Sequence, residues 1–297
     1  MNPAVLALPG NDALGARLAL ELDAEPVDAT VRRFPDGESY VRLETPIAGR
    51  AVVLAATLDR PDDKLMPLLL AAATARELGA RSVGLVAPYL PYLRQDRRFL
   101  AGEAVSARGF AELLSSRLDW IVTVDPHLHR IHRLEEVYRI PAESITAAPR
   151  LAHWVREHVV EPVLIGPDEE SRQWVEAVAH IAGAPCAVLR KQRRGDAEVS
   201  VELPDLSEHR NRMPVLVDDI ISTGATLIQA VGALRRAVHE PPYCVAVHGV
   251  LAGGAYPRLL AAGAQRLVTC NTIVHPTNEI DVHDLLAAAA ARQLRTA

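Results

Sequence analysis

The chain has 297 residues, a hydrophobic fraction of 49% and a formal charge of −5, a length that fits two domains of ordinary size. The acidic balance argues against a general nucleic-acid binder, which usually carries a basic face. No run approaches the roughly 18 consecutive apolar residues of a membrane-spanning helix, so neither nucleic acid nor membrane is an expected partner.

From the N-terminus, Met1–Gly10 lacks a basic leader and runs into a strand over Val5–Leu8, followed by a helix over Asp12–Leu22. Val27–Phe34 and Tyr40–Leu43 flank Pro35-Asp36-Gly37-Glu38, a turn sequence that predicts an antiparallel hairpin projecting from the sheet. A strand over Ala51–Ala55 precedes a helix over Asp62–Leu78. There Leu65, Leu68, Leu69, Ala72 and Arg76 follow the spacing of a half-buried helix. Next come strand Val83–Ala87, helix Ala104–Leu118 and strand Trp120–Val124. Ile140–Ser144 supplies turn residues for a boundary, dividing the chain into residues 1–145 and 146–297.

The second half opens with a helix over Pro149–His158, strand Val163–Gly166, helix Ser171–Ile181 and strand Pro185–Leu189. It continues with strand Val215–Val217, helix Thr226–Val238, strand Cys244–Val250, helix Ala255–Ala262, strand Arg266–Cys270 and an Ala-rich helix over Val282–Gln293. This alternation predicts an α/β protein of two doubly wound parallel-sheet domains, and the similar rhythm of the halves suggests a duplication. The three cysteines, Cys186, Cys244 and Cys270, are scattered and form no C-x-x-C pair. They fit a reducing cytoplasm, each as a small buried hydrophobe near a strand.

The most informative segment is Val215-Leu216-Val217-Asp218-Asp219-Ile220-Ile221-Ser222-Thr223-Gly224-Ala225-Thr226. An apolar strand ends in two carboxylates, passes through small residues and opens a helix. Ser222, Thr223, Gly224, Ala225 and Thr226 can offer amides and hydroxyls to a phosphate at the positive end of that helix. Two aspartates beside a phosphate are repulsive on their own. They make sense if Asp218 and Asp219 accept hydrogen bonds from the hydroxyls of a sugar whose phosphate sits in the loop.

This segment resembles the PRPP-binding motif of the phosphoribosyltransferase-type fold, and the remaining loops narrow the resemblance to the ribose-phosphate diphosphokinases (PRPP synthetases), with a flavour closer to archaeal-type members. The likeness extends from about Leu8 to the last helix. It implies that Arg94-Gln95-Asp96-Arg97, after strand Val83–Ala87, holds ATP, and that His127, in Val124-Asp125-Pro126-His127, is a metal and ATP-phosphate ligand. Asp168, in Gly166-Pro167-Asp168-Glu169-Glu170, becomes the second protein group near a Mg²⁺. Lys191 and Arg193 match the family's catalytic Lys-x-Arg on a flap. The turn around Phe34 matches an element that enters a neighbouring subunit's ATP site, with Phe34 on adenine and Asp36 and Glu38 accepting from its amino group. The resemblance therefore implies a cytoplasmic homo-oligomer, dimer at least, acting on ATP and ribose 5-phosphate.

The chain departs from common members in two places. Leu128 and His129 stand where small residues follow the histidine, and Glu169-Glu170 stands where glycines are usual. Two glutamates repel a polyphosphate unless Mg²⁺ bridges them or they point away as caps of the helix that follows, and the capping reading is preferred. His129 and His132 lie close in sequence, but without a third-ligand pattern for a transition metal. Phosphoryl transfer demands cations aimed at developing charge; Lys191 and Arg193, two apart on a strand edge, would face the same side. No general base is assigned. A PRPP-consuming phosphoribosyltransferase and a non-catalytic homologue of the family remain the alternatives.

Overall fold

A computed structural model describes residues 2–194, 198–202, 207–237 and 240–296, with the side chains of 191–206 and 237 outside the description. Its contacts divide the chain into two units: Met1–Ile145 with His283–Ala297, and Thr146–Val282.

In the first unit the elements are β1 (Ala4–Ala7), α1 (Asp12–Glu21), β2 (Glu25–Pro26), β3 (Ala29–Arg33), β4 (Ser39–Leu43), β5 (Ala51–Ala55), α2 (Pro61–Glu77), β6 (Ser82–Ala87), α3 (Ser106–Ser115), β7 (Trp120–Val124) and β8 (Ala142–Ile145). The sheet order is β2-β1-β5-β6-β7-β8, parallel throughout. Every residue of β5, β6 and β7 is buried, as expected of parallel strands covered on both faces. The short apolar runs pack so closely that Gly84 is obligatory: a Cβ there would lie 1.9 Å from Trp120 on the next strand.

The second unit holds α4 (Ala148–His158), β9 (Pro162–Gly166), α5 (Arg172–Ala182), β10 (Cys186–Val188), β11 (Arg190–Arg194), β12 (Glu198–Glu202), β13 (Met213–Ile221), α6 (Ala225–Ala237), β14 (Tyr243–Gly249), α7 (Ala255–Ala262), β15 (Arg266–Cys270) and β16 (Asn278–Ile280). The order β10-β9-β13-β14-β15-β16 repeats that of the first unit strand for strand. Each unit also carries a separate two-stranded hairpin at the same point of its chain order, β3–β4 in one and β11–β12 in the other. The anticipated duplication is thus visible as topology. In each sheet the chain reverses its direction of winding between the first strand and the third sheet strand, β1 and β5 or β9 and β13. Open α/β sheets bind ligands at the carboxyl ends of strands beside such a switch point.

The final helix, α8 (His283–Thr296), corrects the expected second domain of 146–297. It packs on α1 and the β7–β8 edge of the first unit, where Arg292 and Gln293 bond the Glu143 carboxylate at 3.0 and 2.8 Å. Its buried face is Leu286, Ala287, Ala289 and Ala290, small enough for close helix approach. Cys186 is also corrected: it is exposed on edge strand β10, whereas Cys244 and Cys270 are buried. Among the described residues no helix is long and apolar enough to cross a membrane.

Candidate functional site

The sugar-phosphate residues lie in the second unit and straddle its switch point. Asp168 follows β9, and Asp218 and Asp219 lie on the neighbouring strand β13. That strand runs to Ile221, so both aspartates fall inside it, because the ladder with β14 continues through Asp218, Ile220 and Ile221. Burial first, and then the charges of Asp219 and Asp168, hold the Asp218 carboxyl well above the usual carboxylate range. The three acids therefore share one electrostatic neighbourhood, which favours cations or hydroxyl donors there. The Asp219 amide donates to Asp218 Oδ1 at 3.1 Å.

Past Ile221 the chain turns through Ser222 and Thr223 to Gly224, at φ +72°. This left-handed conformation suits glycine and brings the backbone against α7: a Cβ would meet Ala255 and Leu259 at 3.4 Å. Helix α6 starts at the next residue, and the Ile228 amide donates to Gly224 O at 2.8 Å. The amides of residues 222–226 thus sit at a helix N-terminus, where the positive end of the helix dipole favours an anion.

Across the switch point, Ser171 shapes the Asp168 loop. Its hydroxyl donates to Asp168 O at 2.6 Å. Glu169 bonds Arg172 at 2.6 and 3.0 Å, and this partner is the main reason its carboxyl is held below the usual range. Glu169 thus pairs with the first residue of α5 rather than capping its amides, since no side chain caps the start of that helix. Ser171 is a residue the sequence reading passed over; its place three residues after Asp168 is the spacing of a capping box.

The ATP-type loops lie in the first unit, at the carboxyl ends of adjacent strands β6 and β7. Of Arg94-Gln95-Asp96-Arg97, the arginines are exposed and Asp96 is buried. Glu103 accepts from the Phe99 and Leu100 amides, both at 2.9 Å, and from the Gln95 side chain. His127 is half-buried, its ring edge-to-face with His129 at 4.2 Å. Asp125 (φ +32°) and Tyr92 (φ +64°) hold left-handed backbone without being glycine, strain that concentrates at functional loops. The Tyr92 hydroxyl bonds Asp62. Among the described residues no group of three His, Cys, Asp or Glu side chains converges as a metal cage.

Phe34 is exposed at the end of β3. The Phe34 amide donates to Glu38 O at 2.8 Å and the Glu38 amide to Asp36 Oδ1 at 3.2 Å, closing the turn. The guanidinium of Arg32 lies 4.5 and 4.4 Å from the ring centres of Phe34 and Tyr40. The inner residues Ala29, Val31, Val41 and Leu43 pack on the core, so the tip is presented on a fixed stalk. Lys191 and Arg193 lie on β11, opposite Val201 and Val199 of β12; their side chains lie outside the described residues.

Two family models match the chain: the N-terminal domain of ribose phosphate pyrophosphokinase over residues 4–117 and the phosphoribosyl transferase domain over residues 134–284. The ribose-phosphate pyrophosphokinase of Methanopyrus kandleri is 37% identical, covering 96% of this chain and 97% of the relative. That of Methanothermobacter thermautotrophicus is 34% identical over 95% and 98%. The crystal structure of phosphoribosylpyrophosphate synthetase from Mycobacterium smegmatis superposes with a TM-score of 0.86 at 27% identity, covering all of both chains. The archaeal flavour read from the loops is matched by these two archaeal relatives, and the chain belongs to the ribose-phosphate pyrophosphokinase family.

Proposed function

We propose that the protein transfers the diphosphoryl group of ATP to the C1 hydroxyl of ribose 5-phosphate, giving PRPP and AMP. The observation that carries this reading is the gathering of Asp168, Asp218 and Asp219 beside the Gly224 turn and the N-terminus of α6. Carboxylates for sugar hydroxyls stand next to amides for a phosphate. The family match over residues 4–117 favours a synthetase over a transferase that consumes PRPP.

In this reading Asp218 and Asp219 orient the ribose, and Ser222, Thr223, Gly224, Ala225 and Thr226 hold its 5-phosphate. Arg94, Gln95 and Arg97 hold ATP on the first unit. Phe34, Asp36 and Glu38 serve the adenine of a second copy of the chain, which makes the working enzyme a homo-oligomer. The C1 hydroxyl attacks the β-phosphorus in line as the bond to AMP breaks. Alignment of two reactants supplies much of the acceleration, and Lys191 and Arg193 stabilise charge on the transferring group.

The acidic neighbourhood of Asp218 suits a cation, and Mg²⁺ is the expected one; Asp168 would be a ligand on the sugar-phosphate side, and His127 would serve Mg²⁺ and ATP phosphate on the first unit. Water and phosphate oxygens would complete its shell, since Mg²⁺ prefers oxygen. When bound, it neutralises polyphosphate charge.

The reading is tested with purified protein, ATP, Mg²⁺ and ribose 5-phosphate, beside Lys191→Ala. Equal AMP and PRPP from the parent, with a fall of at least about 100-fold in kcat for the variant, are expected. ATP binding without AMP release by the folded parent would replace the assignment with a non-catalytic homologue.

A further inference from the structure

The resemblance makes every member of Arg94-Gln95-Asp96-Arg97 an ATP contact, and the structure separates one of them from the rest. The Asp96 side chain is only 1% exposed. Its Oδ1 accepts from Arg130 Nη1 at 3.1 Å, and its Oδ2 from the same nitrogen at 3.4 Å and from the Arg130 backbone N–H at 3.2 Å. A buried carboxylate engaged in this way by one residue is spent on that residue, with no solvent face for a nucleotide.

Arg130 lies three residues after His127, on the loop that follows β7, whereas Asp96 lies on the loop that follows β6. One pair of residues thus ties the loop carrying Arg94 and Arg97 to the loop carrying His127. The tie is reinforced by Phe99, whose ring centre is 5.0 Å from the Arg97 guanidinium and 5.6 Å from that of Arg130. Phe99 is itself anchored, because its amide donates to Glu103 at 2.9 Å. Arg130 Nη1 is engaged by the buried Asp96 carboxylate, which offsets the charge Arg130 presents.

We infer that Asp96 and Arg130 are positioning residues: they set the spacing between Arg94, Arg97 and His127, and neither touches ATP. The inference rests on the proposed ATP-binding role of these two loops. Misplacing a binding group by about 1 Å can cost about 100-fold, so the pair is expected to govern nucleotide affinity.

The test compares Arg130→Gln, Asp96→Asn, the double variant and Arg130→Lys. Affinity for a non-hydrolysable ATP analogue is measured by calorimetry with Mg²⁺, and KM values in the assay above. Arg130→Gln is expected to weaken analogue binding and raise KM for ATP by about 10- to 100-fold, with KM for ribose 5-phosphate within twofold of the parent. It also lowers the melting temperature by leaving the buried Asp96 charge without its cation. The double variant removes that charge; it should recover melting temperature yet keep the weak nucleotide binding, a split that a merely structural pair would not give. Arg130→Lys, which reaches one oxygen but lacks the planar fork, should restore part of the affinity. Weak nucleotide binding in Asp96→Asn with parental binding in Arg130→Gln would overturn the inference and return Asp96 to the ATP contacts. So would parental binding in all the variants. Calorimetry keeps the two readings apart: a parent that binds the analogue but makes no AMP sinks the reaction and leaves this test standing.

Discussion

Gly224→Ala isolates the turn on which phosphate binding depends. At φ +72° an alanine carries the left-handed penalty, about 1–2 kcal/mol, while the less flexible unfolded chain returns about 0.4–1 kcal/mol. The new Cβ would sit 3.4 Å from Ala255 Cβ and Leu259 Cδ1, ordinary contact that adds little. The net cost is therefore about 1 kcal/mol, a fall of about 2–4 °C in melting temperature for a domain of this size. The functional cost is larger, because relaxing the strained residue rotates the amides on either side away from the phosphate. KM for ribose 5-phosphate is expected to rise about 10-fold, with KM for ATP unchanged. Calorimetric melting and steady-state kinetics with each substrate varied give both numbers. A protein that melts lower but keeps its KM for ribose 5-phosphate would refute the phosphate role of the loop. One that keeps both would refute the backbone account.

Phe34→Ala removes an exposed ring and leaves the β3–β4 stalk intact, so melting should not change. Loss of base stacking, about 1–3 kcal/mol, predicts a KM for ATP raised by about 5- to 150-fold; a parental value would remove the hairpin from the ATP site. The raised Asp218 carboxyl gives a pH signature in protein without substrate or Mg²⁺. The native state holds this proton more tightly than the unfolded chain, whose value is about 3.9. Stability from this group is complete below that value and is lost as pH rises through the higher native one. Asp218→Asn should flatten the decline of melting temperature with pH, and parallel profiles in parent and variant would contradict it. Gly84→Ala forces a Cβ into the Trp120 ring and should cost more than the roughly 1–3 kcal/mol of ordinary overpacking, read from denaturant midpoints; a cost under about 0.5 kcal/mol would contradict the packing described.

Much of the fold was legible where the sequence punctuates it. Ala51–Ala55, Trp120–Val124, Ala255–Ala262 and Arg266–Cys270 occur with the expected ends; Asp119 and Asp125 bracket the second, and Gly254 and Gly263 the third. The edge strands Glu25–Pro26, Ala142–Ile145 and Asn278–Ile280 were not legible. They are short, lack a buried pattern, and exist because a distant strand offers a ladder; Ala142 pairs with Ile121. Helix α3 is shorter than the expected Ala104–Leu118, since the chain before Ser106 is drawn into the turn that Glu103 closes. The last helix was assigned to the wrong unit because an Ala-rich face suits any close-packed surface.

Within the candidate site, the ATP-type loops and Asp168 follow strands β6, β7 and β9 as sequence order placed them, whereas Asp218 and Asp219 lie inside β13. Hidden from the sequence were partners far apart in the chain, above all Asp96 and Arg130. RQDR reads as four ligands when only residue types are visible, and burial is what sets its aspartate apart.

The reaction itself is tested most directly by following purified protein, Mg-ATP and ribose 5-phosphate by phosphorus NMR. The account predicts that AMP and a sugar 1-diphosphate grow together, in equal amounts, and only when ribose 5-phosphate is present. Accumulation of ADP with a sugar monophosphate ester, or no sugar-dependent loss of ATP, would contradict it.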